Sequence, residues 1–169
     1  MLQFRKLVGD ITYIHTREGF VYLATVMDCY SKRIVGYAMT EHMRTELVQN
    51  ALEMAVRNCP PIKGVTIFHS DRGSQYTSAD YTATMNKYGF LASVGRTGVC
   101  YDNAAAESFN ATCKKELVNR KIYHTRRKAI KEVTSWIELC YNQTRLHSAI
   151  GYRTPNEVHQ EWGKTKTAA

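Results

Sequence analysis

Three carboxylates in this sequence have no evident structural task. Asp10 interrupts the otherwise apolar run Leu7-Val8-Gly9-Asp10-Ile11-Thr12-Tyr13-Ile14, and a carboxylate buried there is costly unless it is paired or binds a metal. Asp71 stands where Val65-Thr66-Ile67-Phe68-His69-Ser70 ends in a glycine-containing turn, a place where sheets often carry active-site groups. Glu107 follows Asn103-Ala104-Ala105-Ala106, small residues that let a bulky group approach a helix closely. Singly, each has an ordinary explanation: a hydrogen-bonded strand residue, a turn former, a surface glutamate paired with a base. Together they suit Mg²⁺, which takes few carboxylates, keeps waters and phosphate oxygens, and in pairs clamps an in-line phosphoryl displacement. Asp28, just before the Tyr30-Ser31 turn, is either a cap for backbone donors or an alternative to Asp10. No lysine-bearing glycine loop indicates a P-loop. No His/Cys cluster has zinc spacing, and neither Ser70 nor Ser74 has a histidine singled out as its base.

The elements that must position these groups follow from periodicity. Residues 7–14, 20–28 and 33–39 read as strands joined by the hairpin links Thr16-Arg17-Glu18-Gly19 and Cys29-Tyr30-Ser31-Lys32, with Val8, Asp10, Thr12 and Ile14 on one face. Residues 45–58 switch to helical period, with Leu47, Ala51, Met54 and Ala55 as the stripe and Cys59-Pro60-Pro61 as the stop. A strand over 65–69 follows, then a helix over 78–88 with Ser78 as N-cap and Gly89 as terminator, then a strand over 90–94. Helices are expected over 103–117, 125–142 and 155–162, with a frayed tail beyond. The sum is an α/β chain: a mixed sheet covered by helices. A right-handed crossover into the fourth strand would lay it beside the first and bring Asp71 near Asp10.

At 169 residues with 44% apolar and 11% aromatic content, the chain is one ordinary domain with a sizeable core. No apolar stretch approaches a membrane span, and the five cysteines are odd in number and contain no CxxC pair, which points to a reduced cytoplasm. The net charge of +8 is concentrated between residues 114 and 145, where nine lysines and arginines stand against three glutamates. Such a segment is either a solvated helix face or a surface that tracks phosphates.

Four ordered motifs resemble the catalytic core of bacterial insertion-sequence transposases in the retroviral-integrase superfamily. They are Gly9-Asp10-Ile11-Thr12-Tyr13-Ile14, His69-Ser70-Asp71-Arg72-Gly73-Ser74-Gln75-Tyr76, Tyr101-Asp102-Asn103-Ala104-Ala105-Ala106-Glu107-Ser108-Phe109, and the closing run from Tyr141-Asn142 through Arg145 and His147 to Pro155. Between Asp71 and Glu107 lie 35 residues, the spacing of the D,D(35)E group. The resemblance covers residues 7–160 and is strongest to elements encoding two overlapping reading frames.

The resemblance implies a ribonuclease-H-like fold with a five-stranded mixed sheet and helices on both faces. It implies two Mg²⁺ or Mn²⁺ ions held by Asp10, Asp71 and Glu107, with Asp10 shared. The activity it implies is DNA cleavage that frees a 3′-OH, followed by strand transfer, in a homodimer or higher assembly acting on element ends and target DNA at the bacterial nucleoid. Lys114 would grip DNA near the scissile end. Helical spacing puts Asn103, Glu107, Asn110 and Lys114 on one face, and the resemblance adds Ser74, Gln75 and Arg96 as DNA contacts, with the loop over 96–101 ordering over the DNA. Arg145 and His147 are left open between packing and DNA contact. The chain departs from the family pattern at Leu7, often tryptophan, and at Thr97, often a base. Only nine residues precede Asp10, so the end-reading helix-turn-helix region of family members is expected to be absent. A catalytically silent DNA-binding remnant and a nuclease that hydrolyses without joining are the alternatives.

Overall fold

Three antiparallel strands open the computed structural model, which describes residues 5–71, 73–94 and 103–167. Strands β1 (Lys6–Thr16) and β2 (Gly19–Asp28) form a long hairpin, and β3 (Ile34–Thr40) pairs antiparallel with β2. After helix α1 (Thr45–Asn58), β4 (Ile67–Ser70) runs parallel to β1, and after α2 (Ala79–Tyr88), β5 (Leu91–Val94) runs parallel to β4. The strand order is β3-β2-β1-β4-β5, the mixed five-stranded sheet expected, with the fourth strand against the first.

Side chains alternate across the sheet, so each strand feeds two cores. Leu7, Ala24, Val26, Val35 and Phe68 meet Leu47, Val48, Ala51, Leu52 and Ala55 of α1 on one face. The buried stripe of α1 thus takes Val48 and Leu52 rather than Met54. Val8, Ile14, Val21, Leu23 and Met27 meet Ala106, Phe109 and Cys113 of α3 (Ala104–Glu116) and Ala129 and Val133 of α4 (Arg126–Ser135) on the other. Gly36 makes the close seating of α1 feasible: a Cβ there would run into the Ala51 carbonyl oxygen and lie 2.7 Å from the Ala55 nitrogen.

Local signals end the elements as chemistry demands. The Ser78 hydroxyl accepts from the Tyr81 N–H at 3.2 Å, and Gly89 closes α2 in the left-handed region at φ 72°. The Thr125 hydroxyl accepts from the Lys128 N–H at 3.1 Å to start α4. The helix expected over 125–142 changes pitch instead: beyond Ser135 it widens into a π-turn, Trp136–Tyr141. That widening turns Trp136, Ile137 and Tyr141 together into the core. The Asn142 amide then grips β3, its Oδ1 accepting from the Ile34 N–H at 3.0 Å and its Nδ2 donating to the Ile34 carbonyl at 3.1 Å.

The last helix, α5 (Pro155–Thr167), runs past residue 162, where the sequence suggested an end and a frayed tail. It begins with a capping box, the Thr154 N–H donating to Glu157 Oε2 at 2.7 Å and the Glu157 N–H to Thr154 Oγ1 at 3.3 Å. The Arg5 guanidinium lies 4.1 Å from the ring centroid of Trp162 and 3.6 Å from Asp28 Oδ2, so α5 docks on the start of β1. Asp28 also accepts from the Ser31 hydroxyl at 2.8 Å and the Tyr30 N–H at 3.3 Å. Burial raises its pKa, but His159, Arg5, Ser31 and Tyr30 together hold it below the ordinary value. Asp28 is therefore a cap for backbone and hydroxyl donors and an ion-pair partner of Arg5.

Candidate active site

Asp10 and Asp71 are brought together by register. β1 pairs with β4 through Lys6↔Ile67, Leu7↔Phe68 and Val8↔His69, and the same register continued two residues aligns Asp10 with Asp71. β4 ends at Ser70, so Asp71 emerges on a turn while β1 continues, paired with β2. Its Oδ1 accepts from the Gly73 N–H at 2.8 Å. Val8 and Ile14 flank Asp10 on the face that α3 covers, and α3 contributes the third and fourth groups. Asn110 Nδ2 donates to Asp10 Oδ2 at 2.7 Å, which places the exposed Glu107, one turn earlier, at the same cleft.

The electrostatics carry the mark of this gathering. Burial pushes the Asp10 pKa from 3.8 to about 6, the charges of Asp71 and Glu107 push it the same way, and hydrogen bonds from the Ile11 backbone and Asn110 oppose them. Three like charges avoid one another, and among the described residues no three His, Cys, Asp or Glu side chains stand close enough to hold an ion in common. The chemistry of the donors still fits Mg²⁺ or Mn²⁺: all are carboxylate oxygens, the donor type these hard cations prefer.

The remaining predicted contacts are spread around this centre. Asn110 supports Asp10 directly. Lys114, one turn further on, places its ammonium 4.8 Å from the ring centroid of Tyr13. Asn103 precedes α3 without a side-chain capping bond, and its buried Oδ1 has no hydrogen-bond partner among the described residues. Ser74 is exposed in the turn after Asp71. Gln75 Nε2 donates to the Met43 carbonyl at 3.1 Å, tying that turn to the start of α1. Arg96 and the segment 96–101 lie outside the described residues.

Two aromatic residues went unnoticed in the sequence. Tyr76 is only 6% exposed, and its phenol is pushed well above the usual pKa by burial first, then by Tyr81, Asp10 and Asp71. A tyrosine in an otherwise polar turn five residues after Asp71 was the available signal. Tyr13, under Lys114, had none beyond its strand parity.

The closing motif packs against α3. The Tyr141 and Phe109 rings meet edge to face at 4.8 Å, which steadies α3 two residues beyond Glu107. Arg145 pairs with Glu116 at 3.0 Å at the far end of the same helix, and the His147 ring lies 5.0 Å from Tyr141. Arg145 and His147 also line a cavity of about 480 Å³ beside Ala104 and Ser108, so the alanines of α3 do leave room, on a flank other than the Glu107 stripe. The basic segment is partly neutralised internally, Lys121 pairing with Glu132 at 2.7 Å and Arg126 with Glu41 at 3.3 Å.

Comparison with known proteins places this geometry. The integrase core domain family matches residues 3–100, and a second integrase core domain description matches residues 88–155. The transposase for insertion sequence element IS904 of Lactococcus lactis subsp. lactis (strain IL1403) is 42% identical over 153 residues, 90% of this chain and 60% of that protein. Transposase InsF for insertion sequence IS3A of Escherichia coli (strain K12) is 39% identical over 157 residues, 93% of this chain and 54% of that protein. The chain thus spans little more than half the length of these curated relatives. In three dimensions it resembles the HTLV-2 integrase catalytic core domain in complex with magnesium, with a TM-score of 0.69, 14% identity, and coverage of 94% of this chain and 98% of that one. The catalytic core domain of BIV integrase gives a TM-score of 0.70 at 17% identity, covering 98% and 99%. The sheet order, the two helical layers and these likenesses make the fold ribonuclease-H-like, and the chain belongs to the integrase core domain family.

Proposed function

We propose that this chain is the catalytic core of a DNA transposase that cleaves DNA strands and joins a freed 3′-OH to a target phosphodiester. The observation that carries the reading is the β1–β4 register that aligns Asp10 with Asp71, together with the Asn110–Asp10 bond that sets Glu107 beside them, in a chain of the integrase core domain family whose relatives are named as transposases. Asp10, Asp71 and Glu107 would hold two divalent ions, Mg²⁺ or Mn²⁺, and the HTLV-2 core in complex with magnesium supports that choice. Bound there, the ions would supply Lewis-acid stabilisation to the attacking and departing oxygens of an in-line displacement.

The chain's own residues supply the rest. Asp10 binds as carboxylate, and Asn110 orients it through Oδ2. Lys114 draws a phosphate to the face that carries Glu107. Ser74 and Gln75, in the turn after Asp71, meet the target strand, and Arg96 and Asn103 complete the contacts. One phosphodiester is exchanged for another, so no nucleotide cofactor is consumed. Dimeric and trimeric forms of the HTLV-2 core support action as an oligomer, on DNA of the bacterial nucleoid in the cytoplasm.

The test is resealing of a branched DNA that mimics the strand-transfer product, with Mg²⁺ or Mn²⁺ and with Asp71→Asn alongside. Metal-dependent resealing that vanishes in the variant is expected. Cleavage without resealing would favour a nuclease, and salt-sensitive binding with no reaction a silent DNA-binding remnant.

A further inference from the structure

The far end of the β1–β2 hairpin carries an aromatic ladder that runs from Tyr22 at the margin of the core out to solvent. Alternation and register put Tyr13 opposite Tyr22 and His15 opposite Phe20 on one face of the sheet. Tyr13 and Phe20 are 55% and 42% exposed. The rings touch in series, Tyr13 to Phe20 at 5.1 Å, His15 to Phe20 at 5.5 Å and Phe20 to Tyr22 at 6.2 Å. This is the face that α1 covers nearer the middle of the sheet, so the ladder is a continuation of the core surface past the end of its cover.

What adjoins the ladder names its ligand. β4 pairs with β1 only through Val8, so between that point and the Thr16–Tyr123 bridge β1 is an open edge among the described residues. Around this edge Lys114 reaches from α3, on the other face of the sheet, to stand over the Tyr13 ring at 4.8 Å. Arg126 is matched by Glu41, whereas Lys114 makes no ion pair among the described residues. Its charge is uncompensated and rests on a π-face. A group that brings an anion to Lys114 and a flat ring to Tyr13 would satisfy both. A nucleotide does: its phosphate draws the ammonium away, and the ring face so vacated is free for the base.

Resting on the proposed function, we infer that Tyr13, backed by Phe20, is a stacking platform for an unpaired nucleotide of the DNA strand whose phosphate is held by Lys114. A base can turn out of the stack to lie on this ring only when it is unpaired, so the site prefers frayed or single-stranded ends to intact duplex. It lies one helical turn beyond Asn110, the residue bonded to Asp10, and so borders the reacting centre without belonging to it.

The experiment compares binding of two fluorescently labelled duplexes to the full chain by anisotropy, one blunt and one with a short unpaired tail, for the natural protein, Tyr13→Ala and Tyr13→Trp. The natural protein should prefer the tailed duplex, Tyr13→Ala should lower that preference about tenfold, and Tyr13→Trp should keep it. Thermal melting checks that both variants fold, as expected at an exposed position. Equal affinity for the two duplexes in the natural protein, or a preference untouched by Tyr13→Ala, would overturn the platform while leaving the DNA-binding reading intact. Failure to bind either duplex would overturn both. Self-association that Tyr13→Ala abolishes, without a change in tail preference, would assign the ladder to a second copy of the chain and overturn the inference.

Discussion

Replacing Asp10 by asparagine should make the metal-free protein more stable, and only above a defined pH. In the folded chain the Asp10 pKa stands at about 6 against an ordinary 3.8, a difference corresponding to about 3 kcal/mol of preference for the neutral form. Partial exposure and the loss of a charged acceptor for the Asn110 and Ile11 donors give back roughly 1–2 kcal/mol, leaving a net gain of about 1–2 kcal/mol. For a chain of this size that is about 3–6 °C in melting temperature. The sign follows from linkage: a group whose folded pKa is raised contributes its stability below the unfolded pKa and loses it as pH rises through the folded one. Wild type therefore loses ground between about pH 4 and pH 6, and Asp10→Asn does not. Thermal melts with chelator at pH 4 and pH 8 should show a small offset at the first and the full offset at the second. Titrated Mg²⁺ should then raise the melting temperature of wild type but not of the variant. A variant less stable than wild type at pH 8, or an offset equal at both pH values, would refute the reasoning.

Asp28→Asn should act in the opposite direction. It leaves Arg5 buried without its carboxylate and should cost about 3 kcal/mol at pH 7. Because the Asp28 pKa is lowered, the deficit should shrink as pH falls through the ordinary carboxylate range, as read from urea midpoints at pH 7 and pH 3.5. Asn142→Ala strips two hydrogen bonds from buried Ile34 and should cost about 2–4 kcal/mol in urea unfolding. Lys114→Ala should weaken DNA binding and reduce the salt slope by about 1, with the melting temperature nearly unchanged.

Much of the molecule follows from chemistry within a few residues. Ser78, Gly89 and Thr125 bound their helices because a hydroxyl or a missing Cβ acts on its own turn. The alternation of β1 places Asp10 with Val8 and Ile14, and the four motifs in order announce the three carboxylates and their 35-residue gap. The α3 stripe of Asn103, Glu107, Asn110 and Lys114 follows from helical spacing alone. What neighbouring residues do not encode is the partner of each stripe.

That was decided only by tertiary structure. Asn110 meets Asp10 across 100 residues of chain, and Asn142 meets Ile34 across 108. That Asp28 is an ion-pair partner depended on Arg5 and His159 arriving beside it. The π-turn at Trp136–Tyr141 exists because Trp136 and Tyr141 must both reach Phe109, which helical period alone does not arrange. Lys114 lies over Tyr13 because β4 stops short and leaves an edge to reach around. The sequence by itself determined which groups are available and which face of its own element each one takes. The meeting of those faces, and with it the rise of the Asp10 pKa, arises only when the whole chain closes, because burial and the charges of distant residues are properties of the fold.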